Sequence, residues 1–315
     1  MPESNRQTPK YQSYRHRCVQ DLAWCVFSPA LVADNHCHEV YQPDLLAEDQ
    51  EFLRQLDDDP QELIAWLAKA KSTRLGVVFE RFWQYWWLNN GVDDEWKFNL
   101  QIHRDGRTLG ELDALQWHPQ GLELTHYELA VKFYLGIEKM VEQDQSSEEL
   151  SWVGPNCTDR LDIKWPQMNQ QQLTALTDDT RAPLLGWPYR RLITRSLTRG
   201  RLFRPLGQAS ALAENSAINP NHGTGQWLRV RDWQLLNDSC WRLLERNEWL
   251  APLHGTEHDE LLTHAEAERR LLQHFDQYRQ PVQIIEVSVA SDHWIESERL
   301  FVVPSQWPPT TAQKS

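Results

Sequence analysis

No CxxC pair occurs in the sequence, no secretory signal opens it, and no apolar run is long enough to span a bilayer. Each absence removes a class of protein. The five cysteines, Cys18, Cys25, Cys37, Cys157 and Cys240, are odd in number and unpaired in spacing. They suit reduced thiols in a cytoplasmic protein better than a disulfide framework. The opening stretch MPESNRQTPKYQSYRHR is polar and lacks an apolar segment, which argues against a signal peptide. The most apolar window, VVFERFWQYWWL, is short and broken by Glu80, Arg81 and Gln84, so no membrane partner is expected. A Gly-rich phosphate loop and a nucleophile elbow are both missing. Positive charge is scarce as well. The formal net charge is −13, so whole-chain electrostatics do not favour a polyanionic partner.

What remains is an ordinary globular composition with one bias. The 315 residues are 40% hydrophobic and 24% charged, enough for a substantial core. The bias is towards tryptophan, 16 in all. Indoles in this number read first as large, rigid core filler. Stacking on nucleobases would need some of them exposed.

Periodicity and punctuation suggest an order of elements. Residues 1–20 read as a flexible tail and 21–73 as an N-terminal helical segment. Within it, DLLAEDQEFLRQLDDDPQELIAWLAKA reads as two helices broken at Asp57-Asp-Asp-Pro60, with Pro60 at the first helical position after Asp59 as cap. A further helix is expected over 74–88. Short alternating runs follow at 98–104, 108–117 and 122–135, joined by Asp105-Gly106 and His118-Pro-Gln-Gly121, which gives three antiparallel strands. Residues 137–150 read as a solvated loop or short helix, and 166–177 as a Pro-started helix. The last third mixes strand-like pieces (WLRVRDW, CWRLLERNEWL, PVQIIEVSV, RLFVVP) with a helix over Asp259–Phe275. The fold class expected is α+β, with a core at 74–205 and an α/β extension at 206–315 packed on it as one domain.

The hairpin GELDALQWHPQGLELTHYELAVKFYLG carries the chemistry. Alternate strand residues share a face. Glu111 and Asp113 therefore share one, as do His126, Glu128, Ala130 and Lys132. Pairing Trp117 with Leu122 would set Asp113 opposite His126 and Glu111 opposite Glu128, with all the acids on one side. A one-residue slip would scatter them. Carboxylates clustered across strands repel unless something offsets their charge. Mg²⁺, with Mn²⁺ as substitute, takes oxygen ligands of this kind. The plain alternative is a solvated strand face on which Glu128 and Lys132 pair.

Other features are weaker. Seven arginines between Arg181 and Arg204, with no acid among them, form the strongest basic feature. Arg190, Arg191, Arg195 and Arg199 could track a phosphate backbone, making DNA a candidate partner. His36-Cys37-His38-Glu39 lacks a second ligand pair, so a zinc site is not expected there. Gln170, Gln171 and Gln172 read as helix surface.

The combination FERFWQYW, TLGELDAL and YELAVKFYLG, with DLAWCVFSPAL, GPNCTDRLDIKW and ERLFVVPSQWP, resembles an uncharacterised family of proteobacterial proteins. That family has been placed in the PD-(D/E)XK nuclease-like superfamily. The resemblance runs from about residue 20 to near the end of the chain. It implies a restriction-endonuclease-like core of a helix, three antiparallel strands, a helix and a strand. It also implies a Mg²⁺-dependent nuclease, a hydrolase of DNA. Asp113 and Glu128 would bind the metal, Lys132 would position the water, and Glu80 would be an assisting acid and further ligand; Glu111 and His126 stand as secondary candidates. One departure is plain: the usual spacing puts the second acid at residue 130, which is alanine. A catalytically inactive relative, serving as a nucleic-acid or protein interaction module, is therefore the rival expectation.

Overall fold

The computed structural model describes residues 11–33, 39–90, 94–104, 107–138, 150–161, 186–208, 217–256, 261–290 and 292–309. The fold is α+β, with a large sheet that mixes parallel and antiparallel pairs. The helices are α1 (Arg17–Phe27), α2 (Ala47–Asp58), α3 (Gln61–Leu67), α4 (Leu75–Asn90) and α5 (His264–Gln277). The strands are β1 (Glu39–Val40), β2 (Glu95–Arg104), β3 (Arg107–His118), β4 (Glu123–Glu138), β5 (Leu150–Val153), β6 (Arg191–Pro205), β7 (Gly223–Arg229), β8 (Cys240–Leu243), β9 (His254–Gly255), β10 (Val282–Val289) and β11 (Trp294–Val303). Two compact units form. One comprises Met1–Val131, Ile163–Arg199 and Ser216–His222, and the other Lys132–Asp162, Gly200–Asn215 and Gly223–Ser315. Among the described residues, no helix is long and apolar enough to cross a membrane.

In the first unit, helix α1 is buried all round, from Val19 to Phe27. Such a helix must have both ends satisfied from within. At its start the buried carboxylate of Asp57 accepts the backbone N–H groups of Arg15 and His16, each at 2.8 Å. At its end the guanidinium of Arg199 donates to the carbonyls of Cys25 and Val26, at 3.1 and 3.0 Å. Helix α4 meets the sheet through aromatics. Trp87 stacks on Trp96 at 4.6 Å and lies 5.0 Å from Tyr127. Most of the described tryptophans are buried, so the core-filler reading of the indoles fits them.

The helix break in the N-terminal segment falls where expected, but Pro60 takes the cap position of α3 rather than its first turn. Asp59 still accepts the Gln61 amide. Strand β2 pairs with β3 and β3 with β4, all antiparallel, while β1 joins β6 in parallel. The expected turn at Asp105-Gly106, most of the acidic stretch 137–150 and the whole of helix 166–177 with its glutamines lie outside the described residues. So do His36, Cys37, His38 and Arg181.

In the second unit the sheet reads β6, β7, β11, β10, β8. The first two junctions are parallel and the last two antiparallel. Helix α5 covers a core of Trp233, Trp241, Ile284 and Leu300 through Ala267 and Leu271. The helix starts five residues later than the sequence reading placed it. Thr263 caps it by accepting the Glu266 amide, while the Glu266 carboxylate accepts the Thr263 amide. This is the reciprocal box that a Thr-x-x-Glu spacing encodes.

Candidate functional site

The hairpin register decides whether the acids can meet. Trp117 pairs with Leu124 and Leu115 with His126. The pairing is displaced by two residues from the expected one, because the turn holds Pro119 to Leu122, with Leu122 at φ 46°. A two-residue displacement preserves the face, whereas one residue would have reversed it. Continued one step, the ladder would set Asp113 opposite Glu128, rather than opposite His126 as the sequence reading had it. There the backbone pairing stops: the ladder ends with Ala114 opposite Tyr127. The Asp113 carboxylate instead accepts the backbone N–H of Leu129 at 2.8 Å. A side chain thus completes the ladder, beside Glu128, at the point where the strands cease to pair.

Glu128 is only 4% exposed and His126 is fully buried, so this is no solvated strand face. The imidazole Nε2 lies 3.8 Å from Glu128 Oε2. That is too far for a hydrogen bond. Burial pushes the His126 imidazole down to about 4, so at neutral pH it is uncharged and the contact is not an ion pair.

A second acidic pair forms on the other side of Asp113. The β2–β3 ladder pairs Phe98 with Ala114 and Leu100 with Leu112, which leaves Asn99 opposite Asp113. Asn99 has φ 51°, a left-handed conformation that asparagine tolerates better than most residues. Its side chain serves three groups. Oδ1 accepts from Gln84 Nε2 at 3.0 Å, and Nδ2 donates to Glu80 at 2.9 Å and Glu111 at 3.3 Å. Helix spacing puts Glu80 and Gln84 on one face of α4, one turn apart. Burial pushes the Glu80 carboxyl above its ordinary range, the Asn99 amide draws it back in part, and Glu111 repels it upward again. Asn99 and Gln84 were missed in the sequence. The available signal was an asparagine inside the strand-like run FNLQI. Replacing Asn99 by glycine keeps the backbone conformation and removes all three bonds. The expected cost is about 1–3 kcal/mol in urea denaturation; a change below about 0.5 kcal/mol would show that Asn99 does not hold the acids.

The other expected residues lie elsewhere. Lys132 belongs to the second unit, where its ammonium meets Asp159 Oδ2 at 2.6 Å and the Tyr134 hydroxyl donates to the same oxygen at 3.2 Å. Asp159, from the GPNCTD stretch, was not singled out in the sequence. Among the arginines, Arg190 is exposed, Arg191 pairs with Glu123 at 3.2 Å, and Arg195 forks onto Glu39 at 3.0 and 3.2 Å. Arg199 has no surface to offer a phosphate. It is fully buried, it spends its donors on carbonyls, and burial lowers its pKa to about 10.

Among the described residues, no group of three or more His, Cys, Asp and Glu side chains is drawn together so as to hold a metal ion. Mg²⁺ asks for less. It keeps several waters and takes one or two carboxylates plus substrate phosphate. Asp113 and Glu128 are two carboxylates on the adjacent strands β3 and β4.

The sequence model for a domain of unknown function, DUF1853, matches residues 20–303. The chain belongs to the DUF1853 family. The match to DUF1853 takes in all the candidate residues, from Glu80 to Arg199. Comparison with curated proteins and with solved structures returns no significant match.

Proposed function

We propose that this DUF1853 protein is a divalent-cation-dependent phosphodiester hydrolase acting on DNA, built on a PD-(D/E)XK-like core. The observation that carries the reading is the place where β3 and β4 cease to pair, with the Asp113 carboxylate reaching across to the Leu129 amide beside buried Glu128. Asp113 and Glu128 would hold the ion, Mg²⁺ or its substitute Mn²⁺. When bound, the ion would polarise a phosphodiester and offset the charge of these acids. Glu80, held by Asn99, supports the site from α4. The order of helix α4 and strands β2, β3 and β4 supports the core assignment. Lys132, to which the resemblance gives the water-positioning role, pairs with Asp159 in the second unit, so the site proposed here is confined to Asp113 and Glu128. Of the four arginines singled out in the sequence, Arg190 and Arg191 are exposed, which would let them meet a DNA phosphate. The reading includes a cytoplasmic setting, in which Cys18, Cys25, Cys157 and Cys240, none of them in a disulfide, stay reduced.

The test is cleavage of plasmid and single-stranded DNA with Mg²⁺ or Mn²⁺, by wild type, Asp113→Asn and Glu128→Gln. Removing an ion ligand should lower the rate at least about 100-fold, since several kcal/mol of transition-state stabilisation go with the ion. Cleavage that survives both substitutions would sink the proposal.

A second reading has its own support: Ala130 stands where the motif acid is usual, and no three-ligand group occurs among the described residues. In that reading the fold binds nucleic acid or protein without turnover. Retardation of DNA by wild type, unchanged by chelation and without cleavage, would favour it.

A further inference from the structure

We infer that His118 is a phosphoryl acceptor, taking a phosphoryl group onto Nε2 from a donor of the phosphoramidate class. The inference stands apart from the cation site and uses residues that site does not. Asp94, shortly after α4, sets a carboxylate oxygen 2.6 Å from His118 Nδ1. A carboxylate there favours the tautomer with its proton on Nδ1, which leaves the lone pair on Nε2. The imidazole is 31% exposed, and its Nε2 has no hydrogen-bond partner among the described residues. A neutral ring nitrogen open to solvent is a nucleophile.

The carboxylate is fastened from behind. Gln116 Nε2 donates to Asp94 Oδ2 at 2.7 Å, and the hydroxyl of buried Tyr127 donates to Gln116 Oε1 at 2.7 Å. That hydroxyl in turn accepts from Arg195 at 3.4 Å. The chain of bonds holds Asp94, and through it the ring, without occupying Nε2. Two exposed arginines stand near. Glu123 lies directly opposite His118 in the β3–β4 ladder, and Arg191 Nη1 meets its carboxylate at 3.2 Å. The Arg190 and Arg191 amides both reach the Leu122 carbonyl, at 2.7 and 3.4 Å, in the turn between the strands. Directly opposite residues share a face, with Cβ atoms about 4.5–5.5 Å apart. A guanidinium fork on the neighbour of His118 suits the oxygens of a phosphoryl group.

In the step itself, the Nε2 lone pair forms a bond to phosphorus while the P–N bond of the donor breaks, and ammonia leaves with that electron pair. The Nδ1 proton stays on the ring. The product is therefore a phosphorylated imidazolium, and Asp94 offsets its positive charge.

The test is incubation of the full-length chain with phosphoramidate at neutral pH. Sites are mapped by tandem mass spectrometry in alkali, where the phosphorylated imidazole survives. His16 and His293 are the internal comparisons, since they also touch carboxylates, those of Asp57 and Asp292. Asp57 is committed to the amides that open α1, and Asp292 is exposed. His118 should be labelled at least about tenfold faster than either. Asp94→Asn should slow that labelling at least about tenfold, and His118→Gln should remove it. The wild-type map compares histidines within one folded chain, so a variant that fails to fold does not spare the inference. No label on His118, equal labelling of the three histidines, or an Asp94→Asn protein labelled at the wild-type rate overturns it.

Discussion

Gly200→Ala should cost about 4 kcal/mol or more, at the extreme of what single substitutions do, and should leave little folded protein at 37 °C. Gly200 has φ 152°, a conformation that side chains rarely adopt. Space is the larger obstacle. A Cβ built there would lie 1.7 Å from the Lys132 carbonyl oxygen and 2.8 Å from its carbonyl carbon. Both atoms are backbone, so no rotamer change relieves the overlap; β4 and β6 would have to separate. Gly110 is the matched control, since a Cβ there meets nothing within 4 Å. Gly110→Ala should be neutral or stabilise by up to about 1 kcal/mol, through the lower entropy of the unfolded chain. Urea denaturation of both variants checks the pair. Gly200→Ala within about 1 kcal/mol of wild type would show that the two strands approach less closely than described.

Arg299→Met should destabilise by about 3–5 kcal/mol, because it strands a buried carboxylate. Arg299 forks onto Glu296 at 2.7 and 2.6 Å and donates to the carbonyls of Trp249 and Ala251 at 2.8 and 3.0 Å. The two side chains are 1% and 6% exposed. Burial acts to raise the Glu296 pKa, but the Arg299 charge and bonds, with Arg201 and the Leu253 amide, hold it below the usual range. A carboxyl depressed in the folded state contributes stability that is complete above its unfolded pKa of about 4.3. That contribution is lost as pH falls through the folded value. In Arg299→Met the sign reverses. Burial without the cation raises the Glu296 pKa, so the variant should lose stability as pH rises through the carboxylate range. Denaturant melts between pH 4 and 7 distinguish the two slopes. A variant that parallels wild type across that range would show that Arg299 does not govern Glu296. The double variant Arg299→Met with Glu296→Leu should recover much of the loss, since an apolar pair of similar size is often no worse than a buried ion pair.

Much of the first unit was legible because its signals are local. Period-two alternation and the turn at His118–Gly121 marked the β3–β4 hairpin, and the two-residue displacement of the register left the acids on the face that alternation gave them. The register itself was not legible to better than two residues, since alternation fixes only parity and Leu122 can join the turn. The role of Asn99 was hidden for a different reason, although its place in the run FNLQI marked it as unusual. Its role depends on a left-handed backbone angle and on Glu80 and Gln84 arriving from α4, which no spacing encodes. Arg199 misled because a basic run reads as surface until a helix end needs its donors. The parallel pairings of β6, β7 and β11 follow no local pattern either, since they join stretches about 20 to 75 residues apart. The acids Glu80, Asp113 and Glu128 were readable as residues of interest because charge inside an apolar alternation is costly wherever it occurs.

The guanidinium that finishes α1 comes from a residue 174 positions later than the carbonyl it satisfies. On a ribosome adding about 5–20 residues per second, roughly 10–35 s pass between the emergence of that helix and of its closing donor. For that interval Val19–Phe27 can pack on α4, but its last carbonyls, those of Cys25 and Val26, lack the donor that closes the helix.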